Sequence, residues 1–263
     1  MGEVEHYPDG TFCWIDLGTT DVAGAKAFYG ALLGWDTEDL PMPGGEGDAY
    51  VMCRLRGMDV AGMHRHAEDE GVGWSSTISV DDADATTSRA RELGATVLME
   101  PNDLPGVGRM SLLADPTGAV VTLSEPRGHI GARLVNDVGA WNWNELVTPL
   151  LDEAAAFYGE LFGWTANNAP GPIRRIGFGL GELLVGGAHA PTEEEGPGSR
   201  WTVSFMVADA AQTVERAQQL GGAVLRPVAD VPTGRFAIVS DPGGASFTVT
   251  ESRTGPVRGV DGL

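Results

Sequence analysis

The sequence predicts an α+β fold made of four modules, each with the element order βαβββ. Short motifs occur twice in the same order along the 263 residues, which indicates that the chain is an internal duplication. Within each half, a strand-like segment followed by a helix-like segment also occurs twice, so each half divides into two modules. The fold class therefore follows from repetition at two levels.

The duplication is clearest in motifs whose internal spacing is the same in both copies. Residues 27–30 and 34–35 read AFYG and GW, and residues 156–159 and 163–164 repeat them; residues 115–119 read DPTGA, and residues 241–245 read DPGGA. The segment between the halves is poor in aromatic residues and contains glycines, as is typical of a linker. We predict a first domain at 1–127, a linker at 128–139, a second domain at 140–254 and a tail at 255–263.

The elements follow from periodicity and from helix start and stop signals. In the first module, residues 12–17 alternate as a strand, residues 21–33 have helical periodicity between Asp21 and Gly34, and strands follow at 50–54 and 60–64. The second module has a strand at 74–80, a helix at 82–93 and strands near 96–99, 109–113 and 119–124. The second half repeats this order, with strands at 141–147 and 201–207 and helices at about 151–162 and 209–220.

Composition and charge exclude several classes of protein. Asp and Glu outnumber Lys and Arg by 37 to 17, and the resulting net charge of −20 repels the phosphates of nucleic acids. No apolar run approaches the ~18 residues that a membrane span requires. Cys13 and Cys53 lie far apart without metal-ligand spacing, which fits a reducing compartment. We expect a cytoplasmic protein that binds neither nucleic acid nor membranes.

The repeated motifs resemble those of the vicinal oxygen chelate superfamily, which includes glyoxalase, bleomycin-resistance and extradiol dioxygenase proteins. A strand, then Thr-Asp, then a helix that ends in Phe-Tyr-x-x-x-x-Gly-Trp resembles the first module of that fold, and Asp-Pro-x-Gly-Ala before an apolar strand resembles the last. The resemblance occurs twice and covers nearly the whole chain. It implies that paired modules curl into two cup-shaped half-barrel sheets, related like the subunits of a fused dimer.

Enzymes of this superfamily hold a divalent metal through His, Glu or Gln on strands that face the cup. At the positions which the resemblance assigns to these ligands, the chain has other residue types. They are Trp14 and Trp143, Ser75 and Thr202, Thr122 and Thr248, and, at the end of each half's first module, Ala61 and residues 185–186. None is a good ligand for a divalent metal, so we expect no metal and no cofactor.

Strand alternation selects further candidates, because every second side chain of a strand shares a face. An aromatic ring beside a carboxylate can stack a planar ligand, while the carboxylate accepts a hydrogen bond or acts as a general base. In the alternative interpretation, the tryptophans fill a collapsed cup and the carboxylates satisfy neighbouring groups. The residues predicted to face the cups in this way are Phe12, Trp14 and Asp16 in the first half and Trp141, Trp143 and Glu145 in the second.

Other polar residues complete the predicted ligand sites. His64 and His189 follow matching strands and are predicted at the rims, where a histidine either binds a ligand near neutral pH or is an exposed residue without a role. Asp115 and Asp241 are predicted to shape tight turns. The hydroxyl residues expected to contact a ligand are Ser75, Thr122, Thr202 and Thr248.

Three functions remain open on the sequence. The first is binding of a small hydrophobic or aromatic metabolite or antibiotic without a metal, by a monomer with two similar halves or by a weak homodimer. The second is a metal-independent enzyme that uses Asp16 or Glu145 as acid or base; the names glyoxalase-like and hydroxylase common among similar tandem proteins rest on analogy of fold. The third is an interaction protein whose acidic surface binds a basic partner.

Overall fold

The computed structural model describes residues 2–41, 49–69, 71–169, 173–193, 195–232 and 234–252. Within them, four helices and sixteen strands form two eight-stranded sheets, one in each half. The order βαβββ occurs four times, so the predicted α+β fold of four modules is confirmed. No helix in these ranges is long and apolar enough to cross a membrane. The predicted tail at 255–263 lies outside the described residues.

The two halves have matching elements. The first contains β1 (Thr11–Thr19), α1 (Val22–Leu33), β2 (Asp36–Leu40), β3 (Tyr50–Leu55), β4 (Met58–Arg65), β5 (Gly73–Ser79), α2 (Ala83–Glu92), β6 (Thr96–Leu104), β7 (Gly108–Ala114) and β8 (Val120–Pro126). The second contains β9 (Trp141–Val147), α3 (Leu151–Phe162), β10 (Thr165–Ala169), β11 (Arg175–Leu180), β12 (Leu183–His189), β13 (Arg200–Met206), α4 (Ala210–Gln219), β14 (Ala223–Val231), β15 (Gly234–Ser240) and β16 (Ser246–Ser252).

Local signals set the bounds of the helices. The side chain of Asp21 accepts a hydrogen bond from the backbone N–H of Gly24 and caps α1. Gly34 and Gly163 end α1 and α3 in the left-handed conformation, at φ 78° and 73°, which glycine adopts without steric cost. The repeated Gly-Trp motif therefore marks a helix stop in both halves.

Each sheet is made by the two modules of the same half. The strand order is β2-β3-β4-β1-β5-β8-β7-β6 in the first half and β10-β11-β12-β9-β13-β16-β15-β14 in the second. Antiparallel pairing of β1 with β5, and of β9 with β13, joins the modules at the centre of each sheet. The cups are consequently formed within the halves and not between them.

A β-bulge interrupts the alternation of the first strand in each half. Phe12 lies opposite Ile78 whereas Trp14 lies opposite Thr77, so Cys13 is the extra residue and the two aromatic side chains are on opposite faces. In the second half, Trp141 pairs with Phe205 and Trp143 with Ser204, which is the same arrangement. The expectation that Phe12 and Trp141 share a face with the next tryptophan is therefore wrong, because simple alternation assumes an unbroken ladder.

Aromatic side chains fill the interface between the halves. Phe12 packs edge-on against Trp201 of the second half, with ring centroids 4.8 Å apart, and is within 5.7 Å of Trp164. On the matching side, Tyr29 of α1 stacks on Trp35, and Phe205 of the second half contacts Trp35 at 5.5 Å. The interface has the composition of a protein core, so we infer that the halves form one folding unit.

Two buried hydrogen-bond chains also cross this interface. Tyr158 donates to Asp115 at 2.8 Å and accepts from the indole of Trp201, and Tyr29 donates to Asp241 at 3.1 Å. Burial and the adjacent Asp115 raise the pKa of the Tyr158 phenol, so it remains a donor at neutral pH. Asp115 and Asp241 form the tight turns predicted for them and, in addition, hold the repeated tyrosine of the opposite half.

The segment at 128–139 is packed against the first sheet. Ala132 donates a backbone hydrogen bond to Cys13 of β1, and Arg133 donates one to Asp59 of β4. Leu134 and Val135 are buried. This segment thus lies between β1 and β4 where those strands diverge, and it contributes to the sheet as well as connecting the halves.

Candidate functional site

The cup face of the second half presents a charged cluster. Glu145 on β9 pairs with Thr202 and with Gly187, and His189 lies two residues beyond Gly187, so the side chains of Glu145 and His189 share a face. Trp201, the neighbour of Thr202, faces the opposite way and contacts Tyr158 of α3. The cluster therefore lies on the face that α3 does not cover. We call Trp143, Glu145, Arg175, His189 and Glu195 the second-cup cluster.

Hydrogen bonds join the members of this cluster in a chain. The indole of Trp143 donates to Glu145 Oε2 at 2.6 Å, and His189 Nδ1 is 2.9 Å from Glu145 Oε1. His189 Nε2 lies 2.9 Å from Glu195 Oε1, and the other oxygen of Glu195 accepts from the backbone and hydroxyl of Thr192. One histidine is consequently held between two carboxylates.

The two carboxylates keep His189 protonated. Burial alone would lower the pKa of His189, but its hydrogen bonds with Glu145 and Glu195 outweigh burial and raise the pKa to about 9. Burial likewise opposes ionisation of Glu195, and the bonds from His189 and Thr192 lower its pKa to about 2. His189 lies at the end of β12, as predicted, but it is only 8% exposed, so its interpretation as an exposed histidine is wrong, because Glu195 on the inter-module loop covers the ring.

The first cup has the same geometry with different chemistry. Trp14 donates to the hydroxyl of Tyr50 at 3.0 Å, and Tyr50 donates to Asp16 at 2.6 Å. Burial and the adjacent Asp16 raise the pKa of Tyr50, so the phenol is neutral. Trp14 is only 5% exposed, and the ring of His129 packs edge-on against it at 4.6 Å. His129 belongs to the segment between the halves, which therefore covers this indole.

A glycine beside each carboxylate makes room for it. Gly62 pairs with Asp16 and Gly187 with Glu145, and a Cβ atom at either glycine would overlap the carboxylate. Ala61, the residue assigned to a metal-ligand position, precedes Gly62 and therefore faces the other side of β4. The signal was present in the sequence, since glycine recurs at both matching places, but its role depends on the pairing of β1 with β4.

The hydroxyl residues predicted to contact a ligand lie on the cup faces. Ser75 pairs with Asp16, and Thr122 pairs with Thr77, which lies opposite Trp14. In the second half, Thr202 donates to the backbone oxygen of Glu145 at 3.0 Å, and Thr248 pairs with Ser204. His64 lies on the same face of β4 as Gly62, where its ring contacts His66. The structure thus places Ser75 and Thr202 beside the predicted carboxylates, Thr122 and Thr248 one strand further along the same faces, and Phe12 on the opposite face.

A small cavity opens between β9 and β12. It has a volume of about 50 Å³ and is lined by Trp141, Trp143 and Leu184, with Phe12 of the first half. Asn144 also lines it and has a buried Oδ1 without a hydrogen-bond partner among the described residues. In the first half, the matching gap is occupied by the segment that bonds β1 to β4. At this edge of the second sheet Trp143 is partly exposed, whereas Trp14, its counterpart in the first half, is buried.

The donors on the cup faces do not fit the divalent metal of the superfamily. The assigned positions carry indoles, neutral hydroxyls and, at Ala61 and residues 185–186, no polar side chain, whereas such metals require imidazole, carboxylate or thiolate ligands. Both nitrogens of His189 are engaged by carboxylates. Among the described residues, no group of three or more His, Cys, Asp or Glu is arranged to hold a metal ion.

We expect chelation to leave the protein unchanged. Treatment with EDTA should not alter the melting temperature, because a metal that binds only the folded state would stabilise it and its removal would lower that temperature. Differential scanning fluorimetry before and after dialysis, with elemental analysis of the same sample, measures this. One metal per half, lost together with thermal stability, would show that the assigned ligand positions are wrong.

Comparisons with known proteins agree with this architecture. The model of the family described as Glyoxalase-like domain matches residues 13–124 and 143–250. The chain is 41% identical over 257 residues to CFP32 of Mycobacterium tuberculosis, a proposed glyoxylase, covering 95% of this chain and 97% of that protein. It is 36% identical over 273 residues to the anthracycline biosynthesis protein DnrV of Streptomyces peucetius, covering 95% and 96%.

A solved structure shows the same fold at low sequence identity. The Mn(II)-bound glyoxalase from Novosphingobium aromaticivorans superposes with a TM-score of 0.64 at 16% identity, covering 95% of this chain and 83% of that one. At this identity the likeness concerns the fold alone. The two family matches, the long relatives and the four βαβββ modules together show that the chain is a tandem member of the glyoxalase-like domain family, with the vicinal oxygen chelate fold.

Proposed function

We propose that the protein binds a small planar, aromatic molecule in the second cup without using a metal. The observation that carries this proposal is the difference in exposure between the two equivalent indoles. Trp143 is partly exposed beside an open cavity, whereas Trp14 is buried beneath His129. An accessible indole is a stacking surface for a planar ligand.

The hydrogen bond from Trp143 to Glu145 supports a binding role. It fixes the plane of the indole, so that less side-chain freedom is lost when a ligand stacks on it. Thr202 also lies on this face and adds a hydroxyl, which bonds the backbone of Glu145. A rigid aromatic surface with a few polar groups is typical of small-molecule sites.

The named relatives favour an aromatic ligand. DnrV of Streptomyces peucetius and DauV of Streptomyces sp. strain C5, which is 34% identical over 284 residues, are both called anthracycline biosynthesis proteins. Anthracyclines contain fused, planar rings of the size that an indole can stack against. We therefore propose fused-ring aromatic compounds as the ligand class of this chain and name no particular compound.

Binding accounts for the second-cup cluster better than acid–base catalysis does. Both oxygens of Glu145 already accept hydrogen bonds, and His189, with its raised pKa of about 9, donates from both nitrogens. A general base requires a free lone pair, and the protonated imidazole of His189 has none. In this arrangement Glu145 orients Trp143 and His189.

The test uses anthraquinone-2-carboxamide, a neutral fused-ring probe, with tryptophan fluorescence as the readout. We expect the probe to quench the wild-type protein and Trp143→Phe to raise its Kd about fivefold, since stacking on an indole contributes ~1 kcal/mol. Trp14→Phe is the matched control, because the equivalent residue of the first half is covered, and it should bind like the parent. A larger effect of Trp14→Phe would place the site in the first cup.

The same titration distinguishes a binder from an enzyme. A binder leaves the absorption spectrum of the probe constant with time, and Glu145→Gln weakens binding through loss of the oriented indole. An enzyme changes the probe with time, and Glu145→Gln then abolishes this change while affinity is kept.

A further inference from the structure

We infer that Arg175 makes the second cup selective for ligands that carry an anionic oxygen, either a carboxylate or a phenolate. This inference rests on the proposed binding function of that cup. It identifies the polar group of a planar ligand that this cup would recognise.

Register places Arg175 on the cup face. Arg175 at the start of β11 pairs with His189 of β12, and antiparallel partners project their side chains to the same side. Its neighbour Ile176 consequently faces the other way, where it is buried. The guanidinium therefore shares a face with His189 and Glu145.

The guanidinium has unused hydrogen-bond donors. Its Nη2 is 3.9 Å from Glu145 Oε1, which is too long for a hydrogen bond, and that oxygen already bonds His189 at 2.9 Å. Its buried Nε has no hydrogen-bond partner within the described ranges. Arg174, the adjacent residue, shows the contrast, since both of its terminal nitrogens bond the carboxylate of Asp152.

An anionic ligand would satisfy the donors on the terminal nitrogens of Arg175, whose side chain is 38% exposed. A planar guanidinium presents two parallel N–H groups that match the two oxygens of a carboxylate, and such charge-assisted pairs are the stronger kind of hydrogen bond. Glu145 does not supply this geometry, because its Oε1 is 3.9 Å from the guanidinium. The chain carries a net charge of −20, so attraction of an anion to this cup depends on a local cation and not on the overall field.

The first cup lacks this feature. The position that matches Arg175 is Tyr50, which bonds Asp16 directly through a neutral hydroxyl. The two cups therefore differ at this position, and the difference determines which ligand charge each cup favours. Selectivity for an anion is expected of the second cup alone.

The experiment compares anthraquinone-2-carboxylate with anthraquinone-2-carboxamide by isothermal titration calorimetry at neutral pH. These probes share the ring system and differ in charge. We expect the wild-type protein to bind the carboxylate at least about tenfold more tightly than the carboxamide, and Arg175→Gln to remove that preference. Arg175→Lys should keep part of the preference, because it retains the charge without the paired donors.

The matched control is Arg174→Gln, which removes the same charge one residue away. If both variants weaken binding of the carboxylate equally, the inference is overturned, because the effect would then depend on overall charge. Equal Kd values of the two probes for the wild-type protein, both raised by Trp143→Phe, would also overturn it and leave the proposed function standing. Binding of neither probe would contradict the proposed function itself. Circular dichroism and melting temperatures establish that each variant is folded.

Discussion

Replacing Asp115 by alanine is expected to lower the free energy of unfolding by about 3–5 kcal/mol, as is typical when one partner of a buried polar network is removed. The carboxylate accepts from the backbone N–H groups of Thr117 and Ala119 and from the hydroxyl of Tyr158. The substitution leaves these donors without an acceptor, and each buried unsatisfied donor costs ~1–3 kcal/mol. Urea denaturation followed by circular dichroism measures the loss.

Asp103→Ala is the matched control for this prediction. Asp103 is an exposed carboxylate that pairs with Arg109 and Arg127, and exposed ion pairs contribute only ~0–1 kcal/mol. Tyr158→Phe isolates the bond between the halves and should cost less than Asp115→Ala, since the turn around Asp115 keeps its other bonds. Equal destabilisation by Asp115→Ala and Asp103→Ala would show that the crossing network contributes little to stability.

The second large effect is a pH dependence of the free energy of unfolding that arises from protonation of His189. The folded pKa of His189, about 9, lies above its ordinary value of 6.5, so the folded state binds the proton more tightly than the unfolded state does. The resulting stabilisation is complete below pH 6.5 and is lost as the pH rises through 9. This difference corresponds to about 3 kcal/mol.

Urea unfolding of the wild-type protein and of His189→Gln, measured between pH 6 and pH 10, tests this. We expect the wild-type advantage to shrink by about that amount across the range, whereas His6→Gln, which alters an exposed histidine, follows the wild type. At acid pH the sign is reversed for Glu195, whose pKa is lowered from 4.5 to about 2; its contribution is present above pH 4.5 and is lost as the pH falls through 2. A constant difference between wild type and His189→Gln would contradict the bonded arrangement around His189.

The order of the elements could be predicted because its signals are local. Asp21 caps a helix through the backbone N–H three residues later, and Gly34 and Gly163 end helices by adopting a positive φ. Such signals act within one turn of helix and are readable from neighbouring residues. Repetition of these signals made the duplication visible.

The face of a side chain was predictable only where the strand ladder is regular. Trp14 and Asp16 share the cup face as alternation predicts, and so do Trp143 and Glu145. Phe12 and Trp141 do not, because the bulge at Cys13 and at Asn142 arises from pairing with β5 and β13. The partner strand lies some 60 residues away in the chain, and no pattern within the first strand predicts the bulge.

By itself, the sequence determined four βαβββ modules, their grouping into two halves and the presence of a carboxylate beside a tryptophan in each cup. Only the tertiary structure decided the environment of those carboxylates. His189 became a buried cation because Glu195, six residues later, folds back onto it, and Asp115 became a contact between the halves because Tyr158 reaches it across 43 residues. Both results depend on desolvation and on partners that meet only when the sheets are assembled, so the pattern of residue types along the chain does not contain them.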